Sequence, residues 1–123
     1  MFEGIFCPSI TITDDDGAID YELWGRHLDH LADAGIDGVL LFGSIGEFYS
    51  VSLEDKKSVV DFAVKRVADR MKVFVGVGDT TYDNVLELTR YAQKAGADAV
   101  LAVSPYYFGP TDDAAEKYFG GIA

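Results

Sequence analysis

The chain has 123 residues, 49% of them hydrophobic, and its 21 acidic against 10 basic side chains give a formal charge of −11. That length supports one domain with its own core, and the apolar content excludes a disordered acidic tail. An acidic surface repels nucleic acid, no apolar run approaches the roughly 20 residues of a membrane span, and the lone Cys7 builds neither an intramolecular disulfide nor a zinc site. The opening Met1-Phe2-Glu3-Gly4 lacks the basic and apolar regions of a signal peptide, so a reduced, cytoplasmic protein is expected.

In chain order, a first strand is predicted at Gly4-Ile5-Phe6-Cys7, broken at Pro8 and followed by an Asp14-Asp15-Asp16-Gly17 turn. From Asp20, the spacing of Tyr21, Trp24, Leu28, Leu31 and Ala32 predicts a helix that Gly35 stops. The wholly apolar Gly38–Gly43 reads as a strand buried on both faces. Ser52 caps a second helix with Glu54 and Asp55 in its first turn, and Val59, Val60, Ala63, Val64 and Val67 form its buried stripe. Val73–Gly78 is a third strand, Asp79–Thr81 a turn, and Val85, Leu88, Tyr91, Ala92 and Ala95 carry a helix to Gly96. Ala99–Val103 is a fourth strand, and Thr111 starts a last helix bearing Ala115, Tyr118, Phe119 and Ile122.

Strands alternating with helices imply right-handed crossovers and a parallel sheet, an α/β fold. There is an internal echo: Ala34-Gly35-Ile36-Asp37-Gly38-Val39-Leu40 resembles Ala95-Gly96-Ala97-Asp98-Ala99-Val100-Leu101, 61 residues on. That spacing spans two βα units of the size found in a (βα)8 barrel. Residues 1–123 are accordingly expected to form a single (βα)4 domain, half of a TIM barrel. Four strands leave two open edges and an inner face in need of a partner.

In such folds chemistry collects where strands end and helices begin. The most distinctive of these positions is Gly43-Ser44-Ile45-Gly46-Glu47-Phe48, whose glycines permit a tight turn and whose serine hydroxyl and amides can hold a carboxylate or phosphate oxygen; a purely structural turn is the competing reading. Tyr106 and Tyr107, at the fourth strand end, offer a proton relay or an interface stack, or else one packs in the core while the other covers the rim. His27 and His30 are read as a solvated helix face rather than metal ligands, and Asp14–Asp16 as a turn rather than a magnesium site. Glu47 is read as a loop anchor bonding backbone amides, and Cys7 as a small apolar residue in the sheet.

Gly43-Ser44-Ile45-Gly46-Glu47 and Ser104-Pro105-Tyr106-Tyr107 resemble the Gly-Thr-Thr-Gly-Glu and Thr-Pro-Tyr-Tyr motifs of the dihydrodipicolinate synthase/N-acetylneuraminate lyase family. The Gly-Glu-Phe continuation and the Ala-Gly-Ala-Asp-Ala-Val approach to the fourth strand look closest to its 2-keto-3-deoxy-sugar-acid aldolases. The resemblance runs from Gly4 to the last helix. It implies a TIM barrel that condenses or cleaves pyruvate with an aldehyde through a lysine Schiff base, without metal or other cofactor. Ser44 would then match the relay hydroxyl, Tyr107 the relay tyrosine that family tetramers contribute across a subunit interface, and the Ser44-Ile45 turn would face the pyruvate carboxylate. Gly43 and Gly46 complete that substrate-binding turn, and Tyr106 joins Tyr107 at the interface. Ile45 departs from the family's hydroxyl residue and offers only its amide.

The resemblance also places the Schiff-base lysine on a sixth strand and a second relay tyrosine near a fifth, both beyond Ala123. Of the six lysines, Lys56, Lys57, Lys65, Lys94 and Lys117 fall on predicted helices and Lys72 lies at the N-terminal end of the third strand, so none is expected to reach the mouth. Three functions compete. The chain is the N-terminal half of a Schiff-base aldolase, inactive until a complementary C-terminal half joins it, and takes a small 2-oxo acid such as pyruvate once complete. Alternatively it is a non-catalytic, engineered or remnant half-barrel that self-associates, most simply as a homodimer. A receiver-like signalling domain with Asp79 as phosphoacceptor ranks last, because it needs a fifth strand and a lysine after it.

Overall fold

A computed structural model describes residues 2–107 and 109–123. The elements follow one another as β1 (Phe6–Pro8), α1 (Tyr21–Asp33), β2 (Gly38–Leu41), α2 (Leu53–Val67), β3 (Lys72–Gly76), α3 (Tyr82–Ala95), β4 (Ala99–Leu101) and α4 (Asp112–Ile122), with single 3-10 turns at Phe48–Ser50 and Ala68–Arg70. The four strands make one sheet in the order β1-β2-β3-β4, every pair parallel. Because the order never reverses, right-handed crossovers place the helices on one face, as in a barrel wall. A receiver-like sheet reverses its order at a switch point, and this one does not.

Local chemistry sets the element ends. The side chains of Asp20, Ser52 and Thr111 accept the N–H groups of Leu23, Asp55 and Ala114, capping α1, α2 and α4. Gly35 and Gly96 take left-handed φ values of 77° and 94° after α1 and α3, where a Cβ would be strained. The acidic run is a turn, as expected: the Asp14 carboxylate accepts from the N–H groups of Asp16 and Ala18 at 3.0 and 2.9 Å.

The pleat sorts the side chains. The rows Cys7–Val39–Val73 and Leu41–Val75–Val100 point to the helices, where Val39, Leu41, Val73 and Val75 are fully buried against Trp24, Leu28, Val59, Val60, Ala63, Val67, Val85 and Leu88. The alternate row, Pro8–Leu40–Phe74–Ala99, lies on the opposite face, which no helix among the described residues covers. Only its N-terminal end is filled, by Phe6 stacked on Phe74 at 4.6 Å and Phe2 edge-on to Phe74 at 4.8 Å.

Two expectations need correction. Pro8 does not break β1 but pairs with Leu40 as its last residue, since an edge strand tolerates the missing N–H. The second, third and fourth strands each stop two residues earlier than predicted, at Leu41, Gly76 and Leu101. For β2 the reason is Phe42, whose φ of 55° turns the chain out of the ladder.

Candidate functional site

The site is built on that turn. Phe42 is 1% exposed and held in the left-handed region by packing from several sides. The Trp24 ring meets it edge-on at 6.1 Å. Behind it, Gly76 supplies the empty space: a Cβ there would collide with the Phe42 carbonyl oxygen. The buried Trp24 Nε1 donates to Ser9 Oγ at 3.2 Å, and the Ser9 hydroxyl donates to the Ile10 carbonyl at 2.9 Å. Thr11 Oγ1 donates to the Gly46 carbonyl at 2.6 Å, while a Cβ on Gly46 would lie 2.9 Å from the Ser9 carbonyl oxygen. The β1–α1 segment and α1 thus clamp both ends of the Gly43–Gly46 turn.

Gly43, Ser44 and Ile45 line a cavity of about 250 Å³ together with Pro8, Leu40, Phe42, Phe48, Gly78, Leu101 and Val103. It opens at the C-terminal ends of the strands, where the fold class places chemistry. Ser44 contributes the one polar side chain in this lining, so a bound acid would be oriented by its hydroxyl and by backbone amides against apolar walls. Ile45 is 58% exposed at the rim. Gly46 does not line the cavity but is buried beneath it.

Glu47 acts differently from the expectation. Its carboxylate makes no capping bond to the turn that follows. Its backbone does the anchoring instead: the N–H donates to the Ser44 carbonyl at 3.1 Å, and its carbonyl accepts from the Ser50 N–H and hydroxyl, each at 2.8 Å.

Tyr106 and Tyr107 line a neighbouring cavity, also about 250 Å³, with Asp79, Thr80, Tyr82, Pro105 and Tyr118. Neither tyrosine packs in the core: Tyr106 is half-exposed with its ring edge-on to Phe48 at 6.0 Å, and Tyr107 is 86% exposed. Tyr118 ties α4 to this end by donating to the Val103 carbonyl at 3.0 Å, and burial raises its phenol pKa. The structure therefore gathers Gly43, Ser44 and Ile45 in one cavity and the two tyrosines in the next.

Sequence reasoning missed Lys56. Its position on α2 does not keep it from the strand ends: the side chain is 2% exposed, and Nζ donates to the Gly78 carbonyl at 3.3 Å, just past β3, and sits 5.9 Å from the Phe48 ring centre. Burial lowers its pKa, with Asp79 pulling the other way. The small space around it, about 70 Å³, shares Phe48 and Gly78 with the Ser44 cavity but not Ser44 itself. The missed signal is its spacing, since Lys56 stands three and four residues before Val59 and Val60 on the buried stripe. Lys72 stays at the N-terminal end, paired with Asp98 at 2.9 Å. His27 Nε2 is buried with no hydrogen-bond partner, and burial followed by the neighbouring His30 lowers its pKa. Among the described residues no cluster of three or more His, Cys, Asp or Glu side chains converges on a point. Among the described residues no helix is long and apolar enough to cross a membrane.

Comparison with known proteins places this geometry. The profile of the Dihydrodipicolinate synthetase family matches residues 1–123. YagE of Escherichia coli K12, a prophage protein of the dihydrodipicolinic acid synthase family, is 36% identical over 123 residues, covering 100% of this chain and 41% of its own. Its crystal structure, in complex with pyruvate, superposes with a TM-score of 0.96. The 4-hydroxy-tetrahydrodipicolinate synthase of Aquifex aeolicus is 37% identical over 123 residues, 42% of its length. A crystal structure of dihydrodipicolinate synthase from Aquifex aeolicus has a TM-score of 0.93 over 98% of this chain and 41% of that one. The chain thus spans about two fifths of the length of these relatives and corresponds to their N-terminal portion.

Proposed function

The chain belongs to the Dihydrodipicolinate synthetase family, and on that premise we propose that residues 1–123 are a (βα)4 half-barrel domain supplying one side of a pyruvate-dependent, Schiff-base aldolase or lyase site. The observation that carries this reading is the strand-end cavity, whose lining holds the Gly43–Ile45 turn and Ser44 as its one polar side chain but no lysine. In the assembled site the Ser44-Ile45 turn holds the carboxylate of a small 2-oxo acid such as pyruvate. Ser44 and Tyr107 relay protons, and Tyr106 and Tyr107 lie at a subunit interface. A lysine from a complementary C-terminal portion attacks the ketone carbon, and water leaves as the imine forms. The chain alone does no catalysis, and it works in the reduced cytoplasm.

YagE's pyruvate complex supports the choice of acid. Ile45 removes one side-chain hydrogen bond to the carboxylate and leaves its amide, so affinity for the acid falls below that of a hydroxyl-bearing turn. The test is to mix this chain with the separately produced C-terminal portion of YagE, add pyruvate and reduce with borohydride. A trapped adduct on the added portion, dependent on both pieces and on Ser44, is expected. A well-folded mixture without adduct refutes the reading. A second reading, the self-associating half-barrel, is favoured by the uncovered apolar row Pro8–Leu40–Phe74–Ala99.

A further inference from the structure

Lys56 carries a charge that the proposed chemistry does not use. It stands on the buried face of α2 at 2% exposure, and an ammonium taken out of water is costly unless its partners offset the loss. Among the described residues it makes one hydrogen bond, to the Gly78 carbonyl at 3.3 Å, and its Nζ faces the Phe48 ring at 5.9 Å from the centre. One long bond and one ring are weak compensation for a group with three N–H donors. An apolar side chain of similar length would fill the same place with less penalty, so the charge is accounted for by what it holds.

Both of its partners belong to the Ser44 cavity. Phe48 and Gly78 line that cavity on one side and the space of about 70 Å³ around Lys56 on the other. The two are in close contact. A Cβ on Gly78 would lie 2.9 Å from Phe48 Cε2 and 3.1 Å from Cδ2, so the ring edge rests against the bare α-carbon. The Tyr106 ring meets Phe48 edge-on at 6.0 Å. In the chain Phe48 follows directly on the Gly43–Glu47 turn and opens the 3-10 turn in which the Ser50 hydroxyl donates back to the Glu47 carbonyl. A displaced ring therefore displaces the exit of the Ser44 turn, and the space beside Lys56 is where such a ring would go.

We propose that Lys56 is a positioning residue of the Ser44 cavity: its ammonium pins the Gly78 carbonyl and the Phe48 ring, and so fixes the apolar wall against which a small 2-oxo acid seats. The role deepens the function proposed above, and only its pyruvate arm rests on that function. Lys56 makes no bond to the acid, because it lies outside the lining of that cavity. The chain carries the charge at a cost in stability and gains a defined site. The hold depends on protonation, since a neutral amine donates more weakly to a carbonyl and loses the attraction to the ring face. Burial lowers the Lys56 pKa below its ordinary 10.5, with Asp79 opposing. The titratable groups that share its space are Asp79 from the turn after β3, Tyr49 from the 3-10 turn and Tyr106 from the segment after β4. On α2 itself Asp55 is bonded to the Ser52 hydroxyl and Lys57 is paired with Glu54 and Glu87.

The test is a pH titration of the 123-residue chain, read by carbon NMR at the lysine Cε, Ile45 methyl and Phe48 ring positions, which stay visible at alkaline pH where amides exchange away. Lys56 should titrate below Lys57 and Lys72, which their hydrogen-bonded carboxylates raise. The Phe48 and Ile45 signals should move with the Lys56 midpoint. In Lys56→Met they should sit, at every pH, where the alkaline unmutated chain has them, with a urea midpoint no lower than before, so that lost folding is not the cause. Phe48→Leu, which keeps the ammonium and removes the ring, should shift the Ile45 methyl already at neutral pH. Signals at Phe48 and Ile45 that ignore the Lys56 midpoint overturn the proposal. So does a midpoint that persists in Lys56→Met, which assigns it to Asp79, Tyr49 or Tyr106. In pyruvate trapping with the YagE portion, Lys56→Met should raise the pyruvate concentration for half-maximal adduct about five-fold, the worth of one hydrogen bond, at an unchanged plateau; an unchanged concentration also overturns the proposal. Absence of adduct with the unmutated chain refutes the proposed function instead, and the titration still decides the role of Lys56.

Discussion

Replacing Gly76 with alanine probes the turn on which the site depends. An added Cβ would lie 2.7 Å from the Phe42 carbonyl carbon and 3.1 Å from the Leu41 carbonyl oxygen, and closer still to the Phe42 oxygen. All three are backbone atoms, so no side-chain rotation relieves the overlap. The alternatives are separating β3 from the end of β2 or driving Phe42 out of its left-handed conformation, and overpacking of this kind costs about 3 kcal/mol. For a domain of this size that is a fall in Tm of about 12 °C. Urea denaturation should show a lower midpoint at unchanged slope. The amide resonances of Ser44 and Ile45 should shift more than those of the α1–α2 surface. Gly120→Ala is the control: it lies in α4 with open space around its Cβ position, so it should gain up to about 1 kcal/mol from helix propensity. A Gly76→Ala chain within about 0.5 kcal/mol of the unmutated one would show that the turn is not held by this close approach.

Lys56→Met should raise the urea midpoint at pH 7 by the equivalent of about 1 kcal/mol, because a buried cation is replaced by an apolar side chain of similar length. Burial lowers the folded-state pKa of Lys56 below its ordinary 10.5, so stability of the unmutated chain rises as pH climbs towards 10.5, and the gap to the variant should close. The Asp29 carboxyl, bonded to Arg66 and Arg70 across the α1–α2 contact, is held at about 2 against an ordinary 3.8. Its contribution is complete above pH 4 and lost as pH falls through 2, a loss that acid titration of Asp29→Asn should not show. Trp24→Phe removes the donor to Ser9 and part of the packing on Phe42, and should cost about 2 kcal/mol in denaturation while shifting the Ser44 and Ile45 resonances.

The alternation of elements, the parallel sheet and the Gly43–Glu47 turn were legible because each rests on local pattern: continuous apolar runs, 3.6-residue stripes, and capping residues such as Ser52 and Gly96. The family motifs were legible as residues. What they could not give is reach. Lys56 was set apart from the strand ends because it falls on a predicted helix, although its spacing from Val59 and Val60 put it on the buried face; burying an ammonium needs a carbonyl partner, and Gly78 is 22 positions away in the chain. The early end of β2 was hidden for a related reason. Left-handed Phe42 is held there by Trp24 and by the hollow at Gly76, and a bulky residue carries no local sign of that conformation. Glu47 shows the reverse error, since its carboxylate drew the assignment and its backbone makes the bonds.

The most direct measurement is borohydride reduction of the 123-residue chain alone with pyruvate, followed by mass spectrometry of its lysine peptides. No pyruvate-dependent adduct is expected on any of the six lysines, Lys56 included, because its amine occupies a separate space beside Gly78 rather than the Ser44 cavity. A stoichiometric adduct at Lys56, lost with Ser44→Ala, would contradict the account: the chain would then carry its own Schiff-base amine and need no second half to supply one.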